Sequence, residues 1–157
     1  MIQAAWRIEK AKHAAAARSG EGARLNGGRW TSPGRPAIYC AEHLSLAILE
    51  ILVHAPDSSQ RSGHMVRFQV RFDAKLVQRI DPQRLPVQLS PRMDHAISRA
   101  FGDAWLDESR TPVLCVPSAI VGVESNYILN PDHSQFDTIS WSTEEPIALD
   151  DRLWMTR

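Results

Sequence analysis

Residues 37–54 read AIYCAEHLSLAILEILVH. Five residues suited to a strand lead into a run with no glycine or proline before Pro56. That order predicts a short strand over 37–41 and a helix from Glu42 to Ala55. Leu44, Leu46, Ala47, Ile48, Leu49, Ile51, Leu52, Val53 and Ala55 fall on every side of that helix. A helix apolar all round is normally a buried one. Within it Glu50 is the one ionisable residue between His43 and His54. A buried carboxylate is unfavourable by several kcal/mol unless paired or protonated. Two readings follow: Glu50 reaches outward or meets a structural arginine, or it is an acidic group held rigidly in a cleft.

Upstream, GEGARLNGGRWTSPGRP (20–36) packs Gly20, Gly22, Gly27, Gly28, Pro33, Gly34 and Pro36 into one stretch. These residues oppose regular structure there. Leu25 and Trp30, among three arginines, point to an ordered binding loop. Arg29, beside two glycines, is the natural counter-charge for Glu50, its planar fork suiting carboxylate or phosphate oxygens. Arg24 serves equally well on this reading. Arg7 follows Trp6 in an apolar opening strand (2–8), and KAKHAAAARS after it suits a helical turn. Tyr39 suits stacking on a flat ring or plain core packing. Ser118 ends an apolar strand, where a hydroxyl faces a cleft or hydrogen-bonds a turn.

Downstream, Val66, Phe68, Val70 and Phe72 alternate with Arg67, Gln69 and Arg71, the pattern of a half-buried strand over 64–72. KLVQRI (75–80) suggests another. Ser90-Pro91 opens a second helix carrying Met93, Ile97, Ala100, Phe101, Ala104 and Trp105 to the core. PVLCVPS (112–118), SNYILN (125–130) and FDTISW (136–141) read as strands. Leu153, Trp154 and Met155 leave an apolar tail suited to a partner interface or to the chain's own core. The expectation is one mixed α+β domain over 1–157.

Composition narrows the chemistry. Eighteen basic residues balance eighteen acidic ones, so no net field draws nucleic acid or anionic lipid, and low net charge favours a permanent partner. Cys40 and Cys115 sit in apolar stretches and read as buried thiols. No signal peptide or apolar run long enough to span a bilayer is evident, so the cytoplasm is the expected address. The six histidines lack metal-ligand spacing. No glycine-rich phosphate loop or serine-nucleophile elbow occurs.

GARLNGGRWTSPGRPAIYCAEHLSLAILEILVH, followed by VPSAIVGVESNYILNPDH, resembles the RES-domain family, toxins of RES–Xre toxin–antitoxin pairs. The matching blocks run from Trp6-Arg7 to His133. The resemblance implies a fold similar to diphtheria-toxin-type ADP-ribosyltransferases, with a split mixed sheet and helices around an NAD cleft. It makes Arg29 the family arginine, Glu50 the glutamate and Ser118 the serine, with Ser125 the weaker claimant. Tyr39 matches an active-site tyrosine, Arg7 a second arginine near the pocket and Asn130 a supporting residue. Trp6 stands where many relatives have tyrosine.

What it further implies is an NAD-consuming enzyme without a metal, bound by an Xre-type antitoxin protein. The acceptor of ADP-ribose is a cellular protein, water or phosphate. Glu50 is expected to stabilise positive charge on the ribose as the nicotinamide bond breaks. Arg29 and Arg7 would hold the diphosphate, Tyr39 would stack on nicotinamide, and Ser118 would orient the ribose. The competing reading is a non-catalytic interaction protein that keeps the fold.

Overall fold

The computed structural model describes residues 1–54, 64–81 and 95–154. Its centre is a mixed sheet of eight strands: β1 (Ile2–Lys10), β2 (Ile38–Ala41), β3 (Met65–Asp73), β4 (Val77–Arg79), β5 (Val113–Pro117), β6 (Ser125–Leu129), β7 (Ser140–Trp141) and β8 (Glu145–Ile147). They run in the order β4-β5-β6-β2-β1-β3-β7, and β8 also pairs with β3. Only β4 and β5 are parallel among the paired strands. With helices α1 (Glu21–Asn26), α2 (Leu44–His54) and α3 (His95–Glu108), this is an α+β fold.

The sheet is well zipped on either side of a thin seam. β1 pairs with β3 along its whole length, from Ile2↔Asp73 to Lys10↔Met65. β6 meets β5 from Val113↔Leu129 to Pro117↔Ser125 and β2 from Ile38↔Leu129 to Ala41↔Asn126. Between β1 and β2 the register is a single pair, Trp6↔Ala41. Alternation along each strand then assigns the two faces. One face carries Ala5, Cys40, Val70, Phe72, Cys115 and Tyr127 in the larger core. The other carries Trp6, Tyr39, Ala41, Leu114, Val116, Asn126 and Ile128, and both α2 and α3 pack over it.

Several expectations are corrected. Gly20–Pro36 is not wholly irregular, since α1 occupies its first part, entered through Gly20 at φ 69° and left through Gly27 at φ 69°. α2 is not buried all round: Leu46 and Ala47 are buried, but Leu49 is 39% and Val53 60% exposed. FDTISW is not one strand; Phe136–Thr138 makes a 3₁₀ turn before the two-residue β7. β8 carried no sequence signal, because a Glu-Pro-Ile strand lacks alternation. Ser90, Pro91, Met93 and Met155 lie outside the described residues. Cys40 and Cys115 are buried free thiols. Leu153 is exposed, so the tail does not bury it in the core. No described helix is long and apolar enough to cross a membrane.

Candidate functional site

α2 starts after a sharp exit from β2 and lays Leu46 and Ala47 on Ala41, with Trp6, Ile8 and Val121 around them. Helical spacing puts Glu50 on that same inward side, four residues from Leu46 and three from Ala47. The carboxylate is therefore aimed at the sheet while Leu49 and Val53 look outward, the reverse of ordinary amphipathicity. Glu50 keeps 26% of its side chain accessible. Its Oε1 accepts a 2.6 Å hydrogen bond from Asn126 Nδ2. Its Oε2 lies 3.7 Å from His54 Nδ1, which in turn is 2.8 Å from the Glu50 carbonyl oxygen. Among the described residues the carboxylate thus meets a neutral amide on β6, with a histidine beside it, and no guanidinium is within ion-pair distance.

Across the same face lies the loop 27–36, fastened from two sides. From β2, Tyr39 accepts a hydrogen bond from Trp30 N–H (3.2 Å) and shares one with Thr31 Oγ1 (2.9 Å). Its ring lies so close that a Cβ on Gly28 would stand 2.4 Å from the phenolic oxygen. Burial pushes the Tyr39 hydroxyl above the usual phenol range, against the opposing pull of those two hydrogen bonds. The hydroxyl is therefore occupied, and what Tyr39 offers a ligand is ring surface.

From α3, Ser98 Oγ donates to the Arg29 carbonyl (2.5 Å) and Arg99 Nε to the Gly28 carbonyl (2.9 Å). Asp103 accepts from Ser32 N–H (2.9 Å) and Ser32 Oγ (2.6 Å). Gly102 permits the closest approach: a Cβ there would lie 1.7 Å from the Trp30 carbonyl oxygen. Arg29 is thus presented by a loop whose backbone is fixed on both flanks. Arg24 is not part of this arrangement. It pairs with Glu21 on the exposed side of α1.

The remaining expected residues scatter. Arg7 leaves β1 on the Ala5–Cys40 face, one residue on from Trp6. Its guanidinium reaches the seam, where Nη1 donates to the Tyr39 carbonyl (3.0 Å) and Nη2 pairs with Glu9 (2.7 Å). Ser118, 1% exposed, accepts from Ile120 N–H and Val121 N–H, both at 3.1 Å. It shapes the turn that seats Val121 under α2. Ser125 is tied by its backbone to Glu42, its N–H donating to Glu42 Oε2 (2.8 Å). Asn130, at the far end of β6 from Asn126, accepts from Asp132 N–H (3.0 Å) and builds a turn.

The sequence reading missed Asn126, Thr31 and the clamp from α3. Two signals were available. A polar residue at an inward register of β6 needs a partner, and small residues at i,i+4 on a helix (Ser98, Gly102) permit close backbone approach.

Chemically, the arrangement offers one carboxylate held by a neutral donor, a fixed arginine loop, and an aromatic ring on the floor between them. Among the described residues no cluster of three or more His, Cys, Asp or Glu side chains is placed to hold a metal ion.

Residues 4–150 match the model of the RES domain. A protein named Toxin Res from Yersinia enterocolitica (serotype O:8 / biotype 1B) is 37% identical over 150 residues, covering 94% of this chain and 97% of its own. Another Toxin Res, from Photorhabdus laumondii, is 36% identical over 131 residues, 83% of each chain. A Prs ADP-ribosylating toxin from Sphingobium sp. is 33% identical over 137 residues, 85% of each.

Proposed function

The chain belongs to the RES-domain family, and we propose that it is an NAD-consuming toxin, held in check by an Xre-type antitoxin. Its reaction breaks the nicotinamide–ribose bond of NAD and passes ADP-ribose to an acceptor. The observation that carries this reading is the inward-facing Glu50, its carboxylate held by Asn126 on one side of a floor whose other side is the arginine loop. The relative named as an ADP-ribosylating toxin supports the same donor chemistry.

The residues fit such a substrate. Nicotinamide leaves with the electron pair of its bond to ribose, and the acceptor's lone pair closes the new bond as its proton goes to solvent. Positive charge grows on the ribose during this exchange, and an oriented carboxylate stabilises it without moving a proton itself. Arg29 supplies the fixed cation for the diphosphate. Tyr39 supplies ring surface for nicotinamide. Arg7 acts from behind, through the Tyr39 carbonyl, and Ser118 acts through the turn that it caps. The acceptor, whether a cellular protein, water or phosphate, is chosen at the rim.

Inducing the chain alone in cells, and measuring NAD together with protein-linked ADP-ribose, tests the reading. NAD falls and growth stops if it is right. Labelled protein then identifies a transferase, and free ADP-ribose or its phosphorylated form names water or phosphate. An unchanged NAD pool during growth arrest, with no protein-linked ADP-ribose, contradicts it.

A further inference from the structure

Asn126 has no role assigned by the resemblance, yet it is the one hydrogen-bond donor to the Glu50 carboxylate among the described residues. A carboxylate only accepts, so the amide nitrogen faces Oε1 and the amide oxygen turns away. That Oδ1 is buried and has no hydrogen-bond partner among the described residues. A buried, unsatisfied carbonyl oxygen is unfavourable by about 1–3 kcal/mol. An aliphatic residue would avoid that term at this inward position of β6, where Ile128 and Val116 are its neighbours in register and on the same face. The balance favours asparagine only if the bond to Glu50 is what matters.

We propose that Asn126 is the positioning residue of the reaction: it engages Oε1 of Glu50 and so turns Oε2 toward the ribose. The proposal rests on the NAD reading given above. Its physical content is directional. Only Leu46 and Ala47 of α2 are buried, with Leu44, Ile48, Ile51 and Leu52 half-buried, and a glutamate has three rotatable side-chain bonds. Without a donor fixed on β6 the carboxylate samples rotamers that point away, and misplacement by about 1 Å is enough to lose on the order of 100-fold in rate. Because the amide is neutral, it holds the carboxylate without cancelling the negative charge that the step requires, which a guanidinium in the same place would do.

Three measurements on the full chain test this. In steady-state assays with NAD, Asn126→Ala is expected to lower kcat by about 10-fold to 100-fold while KM for NAD stays near the parental value. Asn126→Asp, though isosteric, sets a second carboxylate against Glu50 and is expected to lose at least as much as Asn126→Ala. A purely structural role ranks the two the other way, with the isosteric change the milder. In ¹⁵N-labelled protein the Asn126 side-chain amide is expected to carry one proton shifted downfield, and Glu50→Ala is expected to abolish that shift.

Parental kcat in Asn126→Ala, or an amide resonance indifferent to Glu50→Ala, overturns the proposal. If Asn126→Asp does not fold, Asn126→Ala and the amide resonance still decide. If the parent leaves NAD untouched, the NAD reading fails by itself, while the amide resonance continues to report on the clamp.

Discussion

The arginine loop and the glutamate helix share one floor, yet they are held in opposite ways. The loop at 27–36 is irregular, and its backbone is fastened by Tyr39 from β2 and by Ser98, Arg99, Gly102 and Asp103 from α3. Helix α2 is regular, and it is held by apolar packing centred on Leu46 and Ala47 and by one hydrogen bond from Asn126 to its carboxylate. Regular structure satisfies its own backbone, so α2 needs few outside bonds. An irregular loop must find most of its partners elsewhere. The cation side of the site is therefore rigid by cross-linking, and the carboxylate side is precise only as far as its single donor holds it.

The strongest way to break this contrast is Gly102→Ala. Alanine ordinarily gains about 1 kcal/mol over glycine inside a helix. Here its Cβ meets a backbone carbonyl at 1.7 Å, and overpacking of that kind is unfavourable by about 3 kcal/mol or more when backbone must move. Stability measured in urea should fall despite the better helix former, and NAD turnover should fall with it as the Arg29 loop shifts. Gly28→Ala should come next. Its Cβ displaces the Tyr39 hydroxyl, with a loss of about 1–2 kcal/mol for the two hydrogen bonds made there, and Tyr39→Phe in the same chain should relieve only part of the clash, since ring carbons Cζ and Cε2 would still stand 2.6 and 2.9 Å from that Cβ.

Ser98→Ala removes one bond of several and should cost about 1 kcal/mol, read from the urea midpoint, with the loop still in place. On the glutamate side the contrast predicts tolerance. Val53→Ser, on the 60% exposed outer face, should change stability by no more than about 0.5 kcal/mol, against the expectation from an all-apolar helix.

The two faces of the sheet sharpen the comparison through pH. Burial pushes the Cys40 thiol up to about 12 and raises Tyr39, Cys115 and Tyr127 as well. In the unfolded chain these groups lose protons near their ordinary values, while the folded chain retains them. The unfolded state thus binds fewer protons, and stability falls as pH rises above about 9 and onward through 12. Thermal unfolding followed from pH 8 to pH 11 should show this decline, and Cys40→Ala should flatten part of it.

How much of this was legible depended on where the signal lay. Strand β3 declared itself through Val66, Phe68, Val70 and Phe72 against Arg67, Gln69 and Arg71, because period-two alternation is local. Glu50 stood out because a charge on an apolar helix is anomalous in sequence alone. The inward direction of Glu50 stayed open, since apolar residues on every side of the helix hid that Leu46 and Ala47 mark its buried face. The partner was not legible: Asn126 is 76 residues away, and only the β2–β6 register brings it beneath α2. The clamp from α3 was hidden for the same reason, since Ser98 and Gly102 read as ordinary small residues until Trp30 lies against them. The seam between β1 and β2 leaves no mark in either strand.

Nicotinamide release from NAD by the purified chain, beside Glu50→Gln, tests the central claim most directly. The substitution keeps the shape and removes the charge, so a loss of about 100-fold or more is expected from a parent that turns over NAD, with the fold retained by circular dichroism. A Glu50→Gln protein that releases nicotinamide at the parental rate would contradict it.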